Sequence, residues 1–129
     1  MNNNDYCSLK MCEELLLNNI EFETKLVYNI FEDGSSKIGE RSMVTGYRKI
    51  VPAPTMSELW QELPNKLVSD GITFCKIITT DKNNEETTTG YINFEDYIWE
   101  GLCLDKNPCD ALAQLLIWFK ENEKYYEKR

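Results

Sequence analysis

Adjacent acidic residues are the first candidates for chemistry in this sequence. They occur as Glu13-Glu14, Glu85-Glu86 and Glu95-Asp96. Glycosidases and divalent-metal sites both use carboxylates brought close together. Neighbouring residues, however, project to different sides of a helix and to opposite faces of a strand. None of these pairs is therefore a ligand set by itself, and we expect neither a metal site nor a bound cofactor.

The chain contains no histidine. This absence excludes Ser-His-Asp and Cys-His catalysis and removes the commonest general base. The five cysteines are odd in number and show no C-x-x-C spacing, so we expect free thiols in a reducing compartment. Cys109 is the one cysteine near a predicted helix start, where the helix could lower its thiol pKa. The alternative for Cys109 is packing as a small apolar side chain.

Aromatic and acidic side chains are concentrated between positions 91 and 99. We assign six of them as a candidate binding surface: Tyr91, Phe94, Glu95, Asp96, Tyr97 and Trp99. Aromatic side chains at this density dominate interfaces when they are exposed and cores when they are not. A small sheet also needs such residues for its core, so both interpretations stay open at this stage.

The formal net charge of −8 is distributed unevenly. The range 51–100 holds nine acidic residues against three lysines, whereas the range 101–129 balances five acids with five bases. Such a field repels nucleic acid, so we expect no nucleic-acid binding. It suits a protein partner with a basic surface; the alternative is a solvated acidic face that serves solubility.

No apolar run approaches the roughly 20 residues that a membrane-spanning helix needs. The first residues also lack the basic and apolar regions of a secretory signal. Together with the cysteine pattern, these features predict a cytoplasmic protein without membrane association.

Three segments have helical periodicity and start signals. The first covers 8–18, with Ser8 or Asp5 as its cap; the second begins at Thr55, which forms a capping box with Glu58; the third begins at Asn107. The second and third helices carry apolar stripes that should be mostly buried. These stripes comprise Leu59, Trp60, Leu63, Leu112, Leu115, Leu116 and Phe119.

Strand patterns occupy the ranges between the helices. They are clearest at 22–31, 72–80 and 87–94 and weaker around Ser42-Met43-Val44 or 47–51, while the range 95–105 is less decisive. We therefore predict a single α+β domain covering 1–129, with ends that fray at about 1–5 and 123–129. Its two hairpins should form one antiparallel sheet with the helices on one face, in the order α-ββ-α-ββ-α.

Two motifs carry a resemblance to a known group of proteins. Pro-Ala-Pro-Thr-x-x-Glu-Leu-x-x-x-Leu-Pro at 52–64 and Asp-Ala-Leu-Ala-x-Leu-Leu-Ile-Trp at 110–118 resemble small uncharacterised proteins of phages, prophages and other mobile elements of gut anaerobes. The resemblance covers about 8–122, with a longer connection at 95–106 in this chain. It implies a mobile-element accessory protein and assigns no catalytic or binding residue.

Two functional hypotheses follow. The first is a protein-interaction module that acts through the acidic and aromatic surface, which fits the charge, the missing catalytic residue types and the resemblance. The alternative is a small carboxylate- or metal-dependent hydrolase, which would need acids that converge in a pocket. The sequence leaves the oligomeric state open.

Overall fold

The protein has an α+β fold, seen in a computed structural model that describes residues 6–40, 49–83 and 85–129. The described elements are three α-helices and eight β-strands, with a single 3₁₀ turn near the end. In chain order they are α1 (Leu9–Leu17), β1 (Leu26–Ile30), β2 (Ser36–Glu40), β3 (Lys49–Pro52), α2 (Met56–Glu62), β4 (Lys66–Ser69), β5 (Ile72–Asp81), β6 (Glu86–Asn93), β7 (Ile98–Asp105), α3 (Pro108–Asn122), the 3₁₀ turn (Glu123–Tyr125) and β8 (Glu127–Lys128).

The strands form two antiparallel sheets. The first has the order β2-β1-β3 and the second has the order β7-β6-β5-β4-β8. The longest pairing joins β5 to β6, from Asp81 opposite Glu86 to Cys75 opposite Ile92. The predicted single sheet is therefore wrong, because the strands before and after α2 pair only within their own groups.

Capping residues start all three helices where the sequence predicts them. The Ser8 hydroxyl accepts a hydrogen bond from the Met11 amide at 3.3 Å. Thr55 and Glu58 form the complete capping box, each side chain accepting from the other's backbone amide. Asn107 caps α3, and Pro108 occupies the first turn, where no amide donor is needed. Each cap satisfies amides that a helix start otherwise leaves unpaired.

The helix stripes form the centre of the core. α3 packs on β6 and β7, α2 packs on α3, and α1 contacts α3 and β3. Of the seven stripe residues that we predicted to be inside, six are buried and Trp60 is half-buried. Buried residues of both sheets, such as Val51 and Leu67, belong to the same apolar cluster. The prediction of a core built on these helices is confirmed.

The element order differs from the predicted α-ββ-α-ββ-α. Among the residues that the structure describes, three strands lie between α1 and α2, four lie between α2 and α3, and β8 follows α3. The short strand β4 escaped prediction, although its turn to β5 is Asp70-Gly71, with φ angles of 52° and 78°. An Asp-Gly pair is one of the strongest signals for a two-residue hairpin turn, because both positions need positive φ. The strand signal suggested at Ser42-Met43-Val44 lies outside the described residues.

The end of the chain is part of the second sheet. β8 pairs with β4, and Lys66 and Arg129 exchange backbone hydrogen bonds of 2.8 Å in both directions. The Tyr126 ring packs near those of Phe74 and Trp118. The structure thus places 123–129 in a 3₁₀ turn and a paired strand, with Tyr126 packed on the sheet, while the fraying of these residues stays a prediction. The predicted fraying of 1–5 lies outside the described residues.

Candidate interaction surface

The two faces of β6 have different surroundings. The side chains of Thr89 and Tyr91 point to the face that α3 covers, where the Thr89 hydroxyl donates to the Ala111 carbonyl at 3.0 Å. Since side chains alternate along a strand, Gly90 and Ile92 belong to the opposite face. Ile92 is 4% exposed, yet it lies outside the main apolar cluster. The second sheet therefore has one face covered by helices and a second face with its own small apolar patch.

Tyr91 belongs to the covered face and not to the surface we predicted for it. It is completely buried, its ring lies 6.3 Å from that of Trp118, and its hydroxyl donates to the Pro64 carbonyl at 2.6 Å. Burial raises the pKa of its phenol above the ordinary value. Tyr91 therefore acts in the core, and the core interpretation of the aromatic set applies to this residue.

Trp99 is half-buried on the opposite face. It is paired with Ile92 across β6 and β7. A Cβ atom placed on Gly90 would lie 3.0 Å from Cε3 of Trp99, which shows that the indole ring rests directly on this glycine. The ring thereby shields part of the β6 face that lies opposite α3, and its remaining surface faces outward.

The turn between β6 and β7 contains four exposed residues: Phe94, Glu95, Asp96 and Tyr97. The Asn93 side chain holds this turn, accepting from the Asp96 amide at 2.9 Å and donating to the Thr73 carbonyl at 3.0 Å. Tyr97 is 75% exposed and has a φ of 54°. The left-handed region costs a non-glycine residue about 1–2 kcal/mol, so neither burial nor backbone conformation explains a tyrosine here.

β7 adds three exposed apolar side chains, which do not all lie on one face. Leu104, opposite Thr88, shares the face of Trp99, whereas Ile98, opposite Asn93, belongs to the other face. Ile98, Leu102 and Leu104 are 42%, 51% and 48% exposed. The strand lies at the end of its sheet, and Gly101 forms a bulge where β7 has one more residue than β6. We define the hairpin surface as Phe94, Glu95, Asp96, Tyr97, Ile98, Trp99, Leu102 and Leu104. We did not assign Ile98, Leu102 and Leu104 to the binding surface from the sequence, because the bulge interrupts the alternation of apolar and polar residues in this range.

The hairpin surface lies in the most one-sided charge environment of the chain. The range 83–105 contains six acidic residues and no lysine or arginine. None of the three ion pairs found among the described residues involves this range. Glu100 differs from the other acids because its carboxylate lies near Tyr126. The pKa of the Tyr126 phenol is raised mainly by burial and also by this carboxylate. The exposed Glu95 and Asp96 therefore take part in no ion pair among the described residues.

The other candidates for chemistry are placed differently. Cys109 is fully buried beside Cys7, whose thiol donates to the Cys109 carbonyl at 3.4 Å. A hydrogen bond with Cys12 and then burial raise the pKa of the Cys7 thiol far above its ordinary value. A nucleophile needs access and a thiolate, so this cluster is a packing arrangement.

Acidic side chains converge most in a shallow groove of about 280 Å³ beside α2. Its glutamates are Glu21, Glu23, Glu58 and Glu62. Glu58 is engaged in the capping box, where its Oε1 accepts from the Thr55 amide at 3.0 Å. Within the described ranges, no three Cys, Asp or Glu side chains are arranged to hold a metal ion. Among the described residues, the glutamates of this groove therefore do not form a metal-ligand set.

Comparison of the chain with protein-family models, with curated proteins and with solved structures finds no match. Among the described residues, no helix is long and apolar enough to cross a membrane.

Proposed function

We propose that this protein is a binding module for a basic protein partner and that it binds through the hairpin surface. The observation that carries the proposal is a concentration of exposed apolar side chains. Of the eight large hydrophobic residues exposed in the described structure, five lie on this surface: Phe94, Tyr97, Ile98, Leu102 and Leu104. A concentration of exposed apolar side chains within one hairpin, next to acidic residues, suits an interaction site.

The acidic residues define the partner's charge. Glu95 and Asp96 lie within the exposed turn, and the surrounding range has no base. A partner with a basic rim would be steered by this field, while the aromatic and aliphatic side chains supply binding free energy at the centre. Screening by salt should therefore slow association, since charges separated by more than about 8 Å interact weakly at physiological ionic strength.

The proposal includes a cellular setting. The five cysteines without C-x-x-C spacing suit a reducing cytoplasm, and the motifs at 52–64 and 110–118 suit an accessory protein of a mobile element. The partner would then be a basic protein of the host or of the element itself. Neighbouring genes for lysis, replication or defence evasion would identify the pathway.

The test compares partners retained by immobilised variants in a cell lysate. We expect the triple variant Tyr97→Asn, Glu95→Lys and Asp96→Lys to lose the partners that the wild-type protein retains at low salt. The control Glu14→Lys with Glu21→Lys makes the same change in charge at exposed positions of another region. Asparagine tolerates positive φ, so the variant should stay folded. Retention of the same proteins by wild type and triple variant would contradict the proposed surface.

The alternative of a small carboxylate-dependent hydrolase has a separate test. The acidic groove beside α2 would be its site, so turnover of glycoside or phosphoester substrates should disappear in a Glu21→Gln and Glu23→Gln variant. Turnover that these substitutions abolish would replace the binding proposal. We favour binding because the exposed apolar side chains lie on the hairpin surface and not at the groove.

A further inference from the structure

The four strands at sheet edges in the described structure differ in how they are protected. β8 is only two residues long and both are charged, β3 ends at Pro52, and β2 carries exposed Lys37 and Glu40. Short length, proline and charge are the usual means by which proteins prevent an edge strand from pairing with another chain. Three edges of this protein therefore carry such protection.

β7 lacks it. The strand is eight residues long and contains neither lysine nor proline. Its two acids are half-buried: Glu100 lies near Tyr126, and the Asp105 carboxylate accepts from the Asn107 amide and from Gln114 at 2.9 Å each. The bulge at Gly101 is its one irregularity, and pairing with β6 is regular on both sides of it. Among the described strands β7 pairs only with β6, so its second edge is open to another strand.

We infer that the basic partner binds in an extended conformation and adds a strand to the open edge of β7. This inference rests on the proposed function and specifies its geometry. Backbone hydrogen bonds would supply affinity, and alternate side chains of the partner would contact exposed Leu102 and Leu104. Glu95 and Asp96 precede the strand and are exposed, whereas at its other end Glu85 lines one groove together with Lys82 and Lys106. The segment that fits is apolar or β-branched at its centre and basic at the end beside Glu95 and Asp96.

A second copy of this chain fits the same edge poorly. Pairing β7 with itself would bring two ranges together that each hold six acids and no base. Like charges that face each other across paired strands are destabilising. The charge of the hairpin therefore favours a different, basic chain over self-association.

The test uses a synthetic peptide, Lys-Lys-Val-Thr-Val-Thr-Val-Lys-Lys, with blocked ends. Its control is the same peptide with N-methyl groups on the five central amides, which keeps charge and side chains but removes the backbone donors. We expect the methylated peptide to bind at least about tenfold more weakly, because several hydrogen bonds of about 0.5–1.5 kcal/mol each are lost and 1.4 kcal/mol corresponds to tenfold. Hydrogen exchange should slow at β7 amides on binding and stay unchanged at β2.

A variant of the protein tests whether the peptide binds at the open edge of β7. Leu102→Lys places a cation on β7 and should abolish binding of the unmodified peptide, whereas Thr79→Lys makes the same charge change on exposed β5 and should retain most of it. Circular dichroism verifies that both variants are folded.

Equal binding of the two peptides would overturn strand addition while leaving the proposed function intact. Failure of both peptides to bind at low salt would count against strand addition and against the proposed function. Wild-type dimers that Leu102→Lys dissociates would overturn the inference in favour of a second copy.

Discussion

Gly101 connects the bulge of β7 to the packing of α3. Its φ of 66° lies in the left-handed region, and a Cβ atom there would be 2.5 Å from Cε3 of Trp118. Backbone strain and overlap with the Trp118 ring therefore both disfavour a side chain at position 101. Gly101 has no Cβ atom. Both the bulge in β7 and the close approach of α3 depend on this.

We expect Gly101→Ala to lower the free energy of unfolding by about 2–4 kcal/mol, from about 1 kcal/mol of backbone strain and about 1–3 kcal/mol of overpacking. Gly71→Ala is the control, because Gly71 has a φ of 78° but no atom within 4 Å of the added Cβ. Gly71→Ala should lower the free energy of unfolding by about 1 kcal/mol. Urea titrations of both variants provide the measurement. Equal losses would show that Trp118 moves aside without cost.

Asp110 joins the starts of α1 and α3. Its carboxylate accepts from the Ser8 amide at 2.8 Å, yet it is only 8% exposed. Burial raises its pKa above the ordinary value of 3.8, outweighing the hydrogen bonds with Ser8 that lower it. A carboxyl with a raised pKa in the folded protein costs stability while it is charged. That cost is fully present above the folded-state pKa and vanishes as the pH falls below the unfolded-state value.

Asp110→Asn keeps an oxygen for the Ser8 amide and removes the buried charge. We expect this variant to be at least as stable as the wild type at pH 7, and the difference to shrink as the pH falls towards 4.

Asp33 gives the opposite case, because hydrogen bonds from Ser35 lower its pKa. Asp33→Asn should lose a small contribution that is present at pH 7 and disappears in acid. Urea titrations between pH 2 and 7 measure both, because the Asp33 contribution is lost only below the ordinary pKa of 3.8. An Asp110→Asn variant that is less stable than the wild type throughout this range would be the contrary result.

At the scale of elements, the tail shows how one aromatic residue organises a charged segment. Tyr125 and Tyr126 are neighbours, but Tyr125 is 62% exposed whereas Tyr126 packs with ring centroids 5.7 Å from Trp118 and 6.5 Å from Phe74. β8 follows directly and completes the sheet at β4. The side chain of Tyr126 thus determines whether the last residues pair.

Replacing each tyrosine by alanine tests this role. Tyr126→Ala should lower the free energy of unfolding by about 1–3 kcal/mol, less than for a fully buried aromatic because the ring is half-buried. Tyr125→Ala should change it by no more than about 0.5 kcal/mol. Amide exchange should accelerate at β4 and β8 in the first variant alone. Similar effects of the two substitutions would indicate that the tail is held by its backbone.

At the scale of the whole molecule, the core separates the cysteines into two groups. Cys7, Cys12 and Cys109 are at most 1% exposed, while Cys75 and Cys103 are half-buried in the second sheet. Burial also raises the pKa of the Cys103 thiol. Reaction with a thiol reagent therefore reports on the packing of both α1 and α3.

We expect a thiol reagent to modify Cys75 first in the native protein and Cys103 more slowly. The three buried thiols should react only at the rate of unfolding. Denatured protein without reductant should give five thiols, as the cysteine spacing predicts. Rapid modification of more than two thiols in the native state would contradict the packing of α1 against α3. Three or fewer thiols in the denatured state would contradict the reducing compartment.

Local signals in the sequence were sufficient for the helices. Ser8, Thr55 and Asn107 start them because a cap acts on amides within its own turn, and the stripe from Leu112 to Phe119 is buried because helical periodicity is also local. The β5–β6 hairpin follows in the same way from two apolar runs around a polar turn. These features depend on residues that lie close together in the chain.

Tertiary structure decided the rest, because it depends on which distant residues meet. The number of sheets depends on strand pairing, and the place of β8 depends on Tyr126 reaching Phe74 and Trp118. The same holds for the candidate surface. Tyr91 and Tyr97 are both tyrosines of one hairpin, yet α3 covers the first and the turn exposes the second. Composition fixes neither outcome, since burial is a property of the strand face and of the helix that packs on it.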